Sequence, residues 1–124
     1  MVVRYLTGDS PELAERAAKI IDGEETIYIT DVVIVETAYV LTGVYGIARS
    51  LVVDNLITLL QKENILLFAL DKSKVLQALL LCRSSGRISF GDALIWAAAR
   101  SMGDSVIYTL DERFPNNGIE VRRG

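Results

Sequence analysis

The stretch from Ser89 to Arg100 reads SFGDALIWAAAR, and every residue from Phe90 to Ala99 is apolar except Gly91 and Asp92. Its length and its alanines favour a helix over a strand, because alanine is the best helix former. A helix that is apolar on all sides is predicted to be buried. Asp92 would then lie in the first turn of a core helix, where a carboxylate needs a partner, a proton or a metal ion.

Asp92 also has a purely structural interpretation. Ser89 and Asp92 fit the Ser/Thr-x-x-acid pattern that opens helices, in which the acid bonds the first backbone N–H groups. A carboxylate in this position also suits the positive end of the helix dipole. The two roles are compatible, because a carboxylate at a helix start can hold a metal ion with one oxygen.

Length and composition indicate one compact domain, residues 1–124. Hydrophobic residues make up 51% of the chain, enough for a sizeable core, and charged residues make up only 23%. The net charge of −3 does not by itself indicate nucleic-acid binding, and it fits a carboxylate-lined site that recruits cations. No apolar run reaches the roughly 18 residues of a membrane span, and no signal peptide opens the chain.

The chain has one cysteine, Cys82, and no histidine. The absence of histidine excludes Ser-His-Asp and Cys-His catalysis and His/Cys zinc sites. Cys82 is predicted to be a buried, inert thiol in a helix, and a chain without disulfides is predicted to be cytoplasmic. Carboxylates, hydroxyls and a hard cation remain for the chemistry.

Helices and strands are predicted to alternate, which is typical of an α/β domain with a parallel sheet. Leu6–Asp9 is predicted to be a loop. The continuous apolar run Ile65–Leu70 predicts a strand covered on both faces, and Ser105–Leu110 is predicted to be another buried strand. The remaining predicted elements are helices from Pro11 to Asp22, Asp31 to Leu41, Ile47 to Lys62 and Lys72 to Ser85, and strands from Thr26 to Thr30 and Ile119 to Arg122.

Two further carboxylates are candidates for a functional site. Glu36 lies in a predicted helix where its neighbours at helical spacing are apolar or aromatic, so it has no polar face to join; the alternative is an ordinary solvated glutamate. Asp111 follows a predicted strand, and ligands of parallel α/β sheets bind at the carboxyl ends of strands. The alternative for Asp111 is a turn residue or helix cap.

Glu36, Asp92 and Asp111 come from three different elements, and spacing alone does not bring them together. If they converge, they repel one another unless a cation lies between them. Oxygen ligands without His or Cys select Mg²⁺ or Mn²⁺, ions that polarise phosphoryl oxygens and activate water.

Four segments, in this order and spacing, carry a resemblance that covers nearly the whole chain. They are Arg4–Asp9 (RYLTGD), Val35–Leu41 (VETAYVL), Phe90–Ile95 (FGDALI) and Tyr108–Asp111 (YTLD). The chain resembles the PIN domain family, in particular the VapC-type toxin nucleases of bacterial and archaeal toxin–antitoxin systems.

The resemblance implies a three-layer α/β fold in which helices flank a parallel sheet. It implies an acidic Mg²⁺ or Mn²⁺ site, hydrolysis of RNA phosphodiester bonds, a VapB-like antitoxin and a homodimer. The apolar stripes of the first predicted helix and of Ile47–Lys62 are candidate surfaces for these partners. By motif, Glu36, Asp92 and Asp111 take three acidic positions of the family, Thr109 takes a hydroxyl position beside the site, and Ser89 stands where relatives often have another Asp. Arg83 and Arg87 flank the loop before the Asp92 helix and are candidates for an RNA-binding rim, because a chain of net charge −3 needs a local basic surface to bind RNA; the alternative for either one is an ordinary solvated residue.

One departure from the family concerns its first strand, which ends in Asp-x-Asn and supplies a metal ligand. This chain lacks that strand and motif, and we expect a truncated or mis-set start. The 124-residue chain is therefore expected to be poorly stable and nearly inactive on its own. Two other functions remain open: a non-catalytic PIN-like binding module, and a structural α/β domain without phosphate chemistry. Metal affinity separates the nuclease from both.

Overall fold

Six α-helices, four short strands and one π-helical turn form the secondary structure of residues 1–103 and 105–123, which the computed structural model describes. The chain divides into two units, Met1–Ala69 and Leu70–Gly124. Both units contain a parallel strand pair, which confirms the predicted α/β class. The elements are α1 (Val2–Thr7), α2 (Pro11–Ile21), β1 (Ile27–Thr30), α3 (Asp31–Tyr39), the π-helical turn (Val40–Val44), α4 (Arg49–Leu60), β2 (Ile65–Phe68), α5 (Lys72–Ser84), α6 (Phe90–Ser101), β3 (Val106–Tyr108) and β4 (Glu120–Arg122).

In the first unit, β1 and β2 pair in parallel, with Ile27 opposite Ile65. Asn64 fixes the start of this pair, because its side-chain amide donates to the backbone carbonyls of Ile21 and Gly23 over 2.9 and 3.2 Å. One face of α4 supplies much of the core, whereas Leu51 on the same helix is exposed. The buried residues of α4 are Val52, Val53, Leu56, Leu59 and Leu60.

In the second unit, α5 and α6 pack against each other and β3 pairs in parallel with β4. Cys82 on α5 is completely buried, which confirms its prediction, and its thiol lies 3.8 Å from the backbone carbonyl of Ser89. Trp96 on α6 is 4% exposed, and its indole N–H donates to the carbonyl of Asn117 over 2.7 Å. This bond ties the segment before β4 to α6.

The prediction that both apolar strands are buried is wrong. Phe68 at the end of β2 is 64% exposed, and Tyr108 at the end of β3 is 68% exposed. The physical reason is that each sheet has only two strands within the described residues, so one face of each lacks cover. The prediction that α6 is buried on all sides is also wrong, because Ile95 is 49% exposed.

The prediction of a loop from Leu6 to Asp9 is also wrong for Leu6 and Thr7. Helix α1 continues to Thr7, and Gly8 ends it in the left-handed conformation, with φ at 66°. The side chain of Asp9 then folds back onto the helix: it accepts a hydrogen bond from Arg4 over 2.7 Å and another from the hydroxyl of Tyr45. Local propensity for this six-residue helix is low, and contacts distant in sequence help to stabilise it.

Because of these bonds, we predict that the folded protein loses stability in acid as Asp9 becomes protonated. Hydrogen bonds from Tyr45 and Arg4 lower the pKa of Asp9 from 3.8 to about 2. The folded-state pKa lies below the unfolded one, so the stabilisation is present above about pH 4 and is lost as the pH falls towards 2. We expect Asp9→Asn to be less stable than the wild type at about pH 6 and nearly equal to it at about pH 2.

Urea unfolding at these two pH values measures the difference. Glu12→Gln, an exposed carboxylate change on α2, serves as the control. A gap between the wild type and Asp9→Asn that stays constant from neutral to acidic pH would contradict the role of Asp9.

Candidate functional site

Glu36 lies on α3, a helix that Thr30 caps by accepting the N–H of Val33 over 3.4 Å. Its side chain is exposed, and Val32 and Val33 beside it are 61% and 37% exposed. The apolar surroundings predicted for Glu36 are therefore present, but they form an open surface instead of a core. A pocket of about 270 Å³ opens beside it, lined by Met1, Val2, Val3, Val32, Val33, Glu36, Thr37 and Val40.

Asp92 lies in the first turn of α6, as predicted, and is half-buried. The hydroxyl of Ser89 accepts the backbone N–H of Asp92 over 3.0 Å, so Ser89 caps the helix. The carboxylate of Asp92 makes no hydrogen bond within residues 1–103 and 105–123, and so the reciprocal half of the capping pattern is not formed. The cap explains why Ser89 stands here, and it leaves both oxygens of Asp92 available to a ligand.

Asp111 follows β3 and forms a turn, which confirms the turn interpretation. Its Oδ1 accepts the backbone N–H of Arg113 over 2.9 Å and the Nε–H of the same residue over 3.3 Å. The backbone bond from Arg113, and then its side-chain bond, lower the pKa of Asp111, with a further contribution from the charge of Arg123. Asp111 is therefore an anion at neutral pH, and its Oδ2 remains available.

Thr109 positions the backbone of Asp111. Its hydroxyl accepts the N–H of Asp111 over 3.1 Å, and its own N–H donates to the carbonyl of Arg122 over 3.0 Å, which extends the β3–β4 pairing by one residue. The two predicted rim residues, Arg83 at the end of α5 and Arg87 in the following loop, are both exposed.

The predicted carboxylates are divided between the units: Glu36 belongs to Met1–Ala69, and Asp92 and Asp111 belong to Leu70–Gly124. Within the part of the chain that the structure describes, no three Asp, Glu or Cys side chains form a group that could hold a metal ion. The donor chemistry nevertheless fits a hard cation, because Asp92 and Asp111 each offer carboxylate oxygens to which none of the described residues donates.

Three residues near Asp111 were not predicted as site residues: Tyr108, Arg122 and Arg123. Arg123 donates to the carbonyl of Asp111 over 2.8 Å, and Arg122 donates to the hydroxyl of Tyr108 over 2.9 Å. Parallel pairing of the last two strands could have indicated this proximity, because it brings their carboxyl ends to the same edge of the sheet.

The two units also differ in charge, which the total of −3 conceals. Met1–Ala69 contains five basic and ten acidic residues, a net charge of −5. Leu70–Gly124 contains eight basic and six acidic residues, a net charge of +2. The unit with Asp92 and Asp111 is therefore the one that favours a polyanion.

None of the helices in the described ranges, 1–103 and 105–123, has the length and apolar character required to span a membrane.

Comparison with known proteins agrees with the fold. The family model described as "PIN domain" matches residues 1–120. Neither the curated proteins nor the solved structures give a match. PIN domains are generally nuclease domains, and they typically use divalent metal ions. With nearly the entire sequence matched and the α/β class confirmed, this chain belongs to the PIN domain family.

Proposed function

We propose that this chain is a Mg²⁺- or Mn²⁺-dependent endoribonuclease that acts in the cytoplasm as the toxin of a type II toxin–antitoxin pair. One observation carries the nuclease part of the proposal. In this PIN domain, the half-buried Asp92 at the start of α6 has a carboxylate that accepts no hydrogen bond from residues 1–103 and 105–123. Carboxylate oxygens of this kind are the ligands that hard divalent cations prefer.

Asp92, Asp111 and Glu36 are the residues that would hold the metal ion. When bound, a divalent ion in such a site polarises a phosphoryl oxygen and lowers the pKa of a water molecule. The protein contributes position: Ser89 fixes the first turn of α6 under Asp92, and Arg113 and Thr109 fix the turn that carries Asp111. Asp111 is ionised at neutral pH, as an ordinary aspartate is, and its hydrogen bonds from Arg113 lower its pKa further, so it needs no proton release to bind a cation.

Cleavage of a labelled single-stranded RNA with and without added Mn²⁺ tests the proposal. We expect cleavage with the ion and none with excess chelator in a protein extended upstream as described below, because the 124-residue chain alone is expected to be nearly inactive. A protein that binds neither Mn²⁺ nor Mg²⁺ in calorimetry would contradict the metal-dependent mechanism.

Arg83 and Arg87 are proposed as an RNA-binding rim before α6. Both are exposed, and both belong to the unit of net charge +2. We expect Arg83→Ala with Arg87→Ala to weaken RNA binding and to lower the slope of log affinity against log salt by about 1.4, or about 0.7 per lost phosphate contact on a single strand. Fluorescence anisotropy over a salt series measures the slope, and an unchanged slope would remove both residues from the rim.

The proposed partners are a VapB-like antitoxin and a second copy of the chain. A groove along α1 and α2 supports a docking site, because Leu13 and Ile20 are 41% and 42% exposed there, with Arg4 and Arg16 beside them. An antitoxin segment with apolar and acidic side chains would complement this groove. Light scattering at high protein concentration measures the oligomeric state, and a monomer would contradict the proposed dimer.

A further strand ending in Asp-x-Asn is proposed to complete the site. The sheet of β1 and β2 supports this, because it has only two strands within the described residues, so each strand has one edge open to a further strand. A protein extended upstream in the same reading frame to include such a strand is expected to gain stability and Mn²⁺-dependent cleavage. An extended protein no more stable than the 124-residue chain would contradict this proposal.

A non-catalytic PIN-like binding module is the second candidate. The observation that favours it is the lack, in the described residues, of a group of three acidic side chains around one point. Such a module would bind its partner with wild-type affinity after any change at Asp92, whereas the proposed nuclease would lose its metal.

A further inference from the structure

The carboxyl ends of β3 and β4 bring an exposed tyrosine next to two arginines. Tyr108 ends β3 and is 68% exposed. Arg122 ends β4 directly opposite it, donates to its hydroxyl over 2.9 Å and lies 5.7 Å from the centre of its ring. An exposed aromatic ring next to a planar guanidinium offers two flat surfaces of the kind on which unpaired bases stack.

The charges at this edge leave Arg123 able to bind an anion. Arg123 donates only to neutral groups in the described structure, the backbone carbonyls of Asp111 and Glu112 over 2.8 and 3.4 Å. Arg122 pairs with Glu120 over 3.0 Å, but the two side chains are 52% and 57% exposed, and such surface pairs are weak. A phosphate can therefore compete for Arg122, and it can also bind Arg123, whose hydrogen bonds within the described residues go only to backbone carbonyls.

We infer that Tyr108, Arg122 and Arg123 form a platform that binds single-stranded RNA, with a base stacked on Tyr108 and a phosphate held by Arg123. This inference rests on the proposed function, because it states how the RNA substrate is held next to Asp111. The platform lies next to Asp111, because Arg123 donates a hydrogen bond to the backbone carbonyl of Asp111. Duplex RNA keeps its bases stacked and paired, so it cannot use the tyrosine.

Binding to a labelled oligouridine of about 12 nucleotides, in metal-free buffer where no cleavage occurs, tests the platform. We expect Tyr108→Leu to weaken binding by about 5- to 100-fold, and Tyr108→Phe, which keeps the ring, to stay within about twofold of the wild type. Arg123→Gln, which lies outside the strand, should lower the salt slope by about 0.7. Lys19→Gln, which removes one exposed basic charge on α2, is the matched control and should change neither.

Wild-type affinity and salt slope in both Tyr108→Leu and Arg123→Gln would overturn the inference. Equal binding of single-stranded and duplex RNA, or binding of a protein partner alone, would overturn it as well. Cleavage is measured separately with Mn²⁺ present. Binding that depends on Tyr108 without any cleavage would support the platform and contradict the nuclease, and cleavage with unchanged binding in Tyr108→Leu would overturn only the platform.

Discussion

Asp92→Asn is expected to lower metal-dependent RNA cleavage by about 100-fold or more, because losing even the residues that orient metal ligands costs about 10- to 100-fold. The fold should survive. The hydroxyl of Ser89 accepts the backbone N–H of Asp92 over 3.0 Å, and this bond does not involve the carboxylate. The lost attraction between the carboxylate and the helix dipole costs only about 0.3–1 kcal/mol.

The measurement compares cleavage rates and calorimetric Mn²⁺ affinity in whichever form cuts RNA, the 124-residue chain or the extended protein. Glu112→Gln is the matched control: it removes an exposed carboxylate beside Asp111 that is not a proposed ligand. We expect it to cut at nearly the wild-type rate. Equal Mn²⁺ affinity in Asp92→Asn and the wild type would remove Asp92 from the metal site.

Trp96→Ala is expected to be the most destabilising single substitution considered, at about 3–5 kcal/mol. The side chain is 4% exposed, so truncation leaves a cavity in the core of the second unit. It also removes the donor to the Asn117 carbonyl at 2.7 Å and the surface over which Arg100 lies, 5.3 Å from the ring centre. That loss is a large part of the ~5–15 kcal/mol stability of a typical domain.

Trp96→Phe separates packing from the hydrogen bond. It keeps most of the apolar volume, and we expect it to cost about 1–2 kcal/mol, the effect of one lost hydrogen bond with some loss of packing. Ile95→Ala, 49% exposed on the same helix, is the control for a change outside the core. Trp96 is the only tryptophan, so urea unfolding must be followed by circular dichroism. Destabilisation in Trp96→Ala no larger than in Ile95→Ala would contradict this role.

Periodicity and capping patterns predict most of the helices. The Ser89 cap of α6 and the buried face of α4 follow from side-chain types alone, because both depend on local spacing. Helix α1 does not follow from them. It is held partly by Asp9 and by the hydroxyl of Tyr5, which donates to Asp22 over 2.7 Å, and such contacts leave no local pattern.

The apolar runs in the sequence predict the burial of individual side chains poorly. The run from Ile65 to Leu70 has the composition of a central strand, yet Phe68 is 64% exposed. A strand is buried on both faces only if other elements cover it, and composition does not report whether they do. The same limit applies to Asp111: its place at a strand end was predicted, whereas Arg122 and Arg123 come to it through a strand pairing about ten residues away.

The rate at which a reagent labels the buried thiol of Cys82 can report how often the second unit opens. Cys82 is the only cysteine in the chain, it is completely buried, and it lies against the residue that caps α6. A thiol reagent can therefore react only when α5 and α6 separate. If reclosure is faster than reaction, the labelling rate measures the free energy of that opening without any engineered probe, at the base of the helix that carries Asp92.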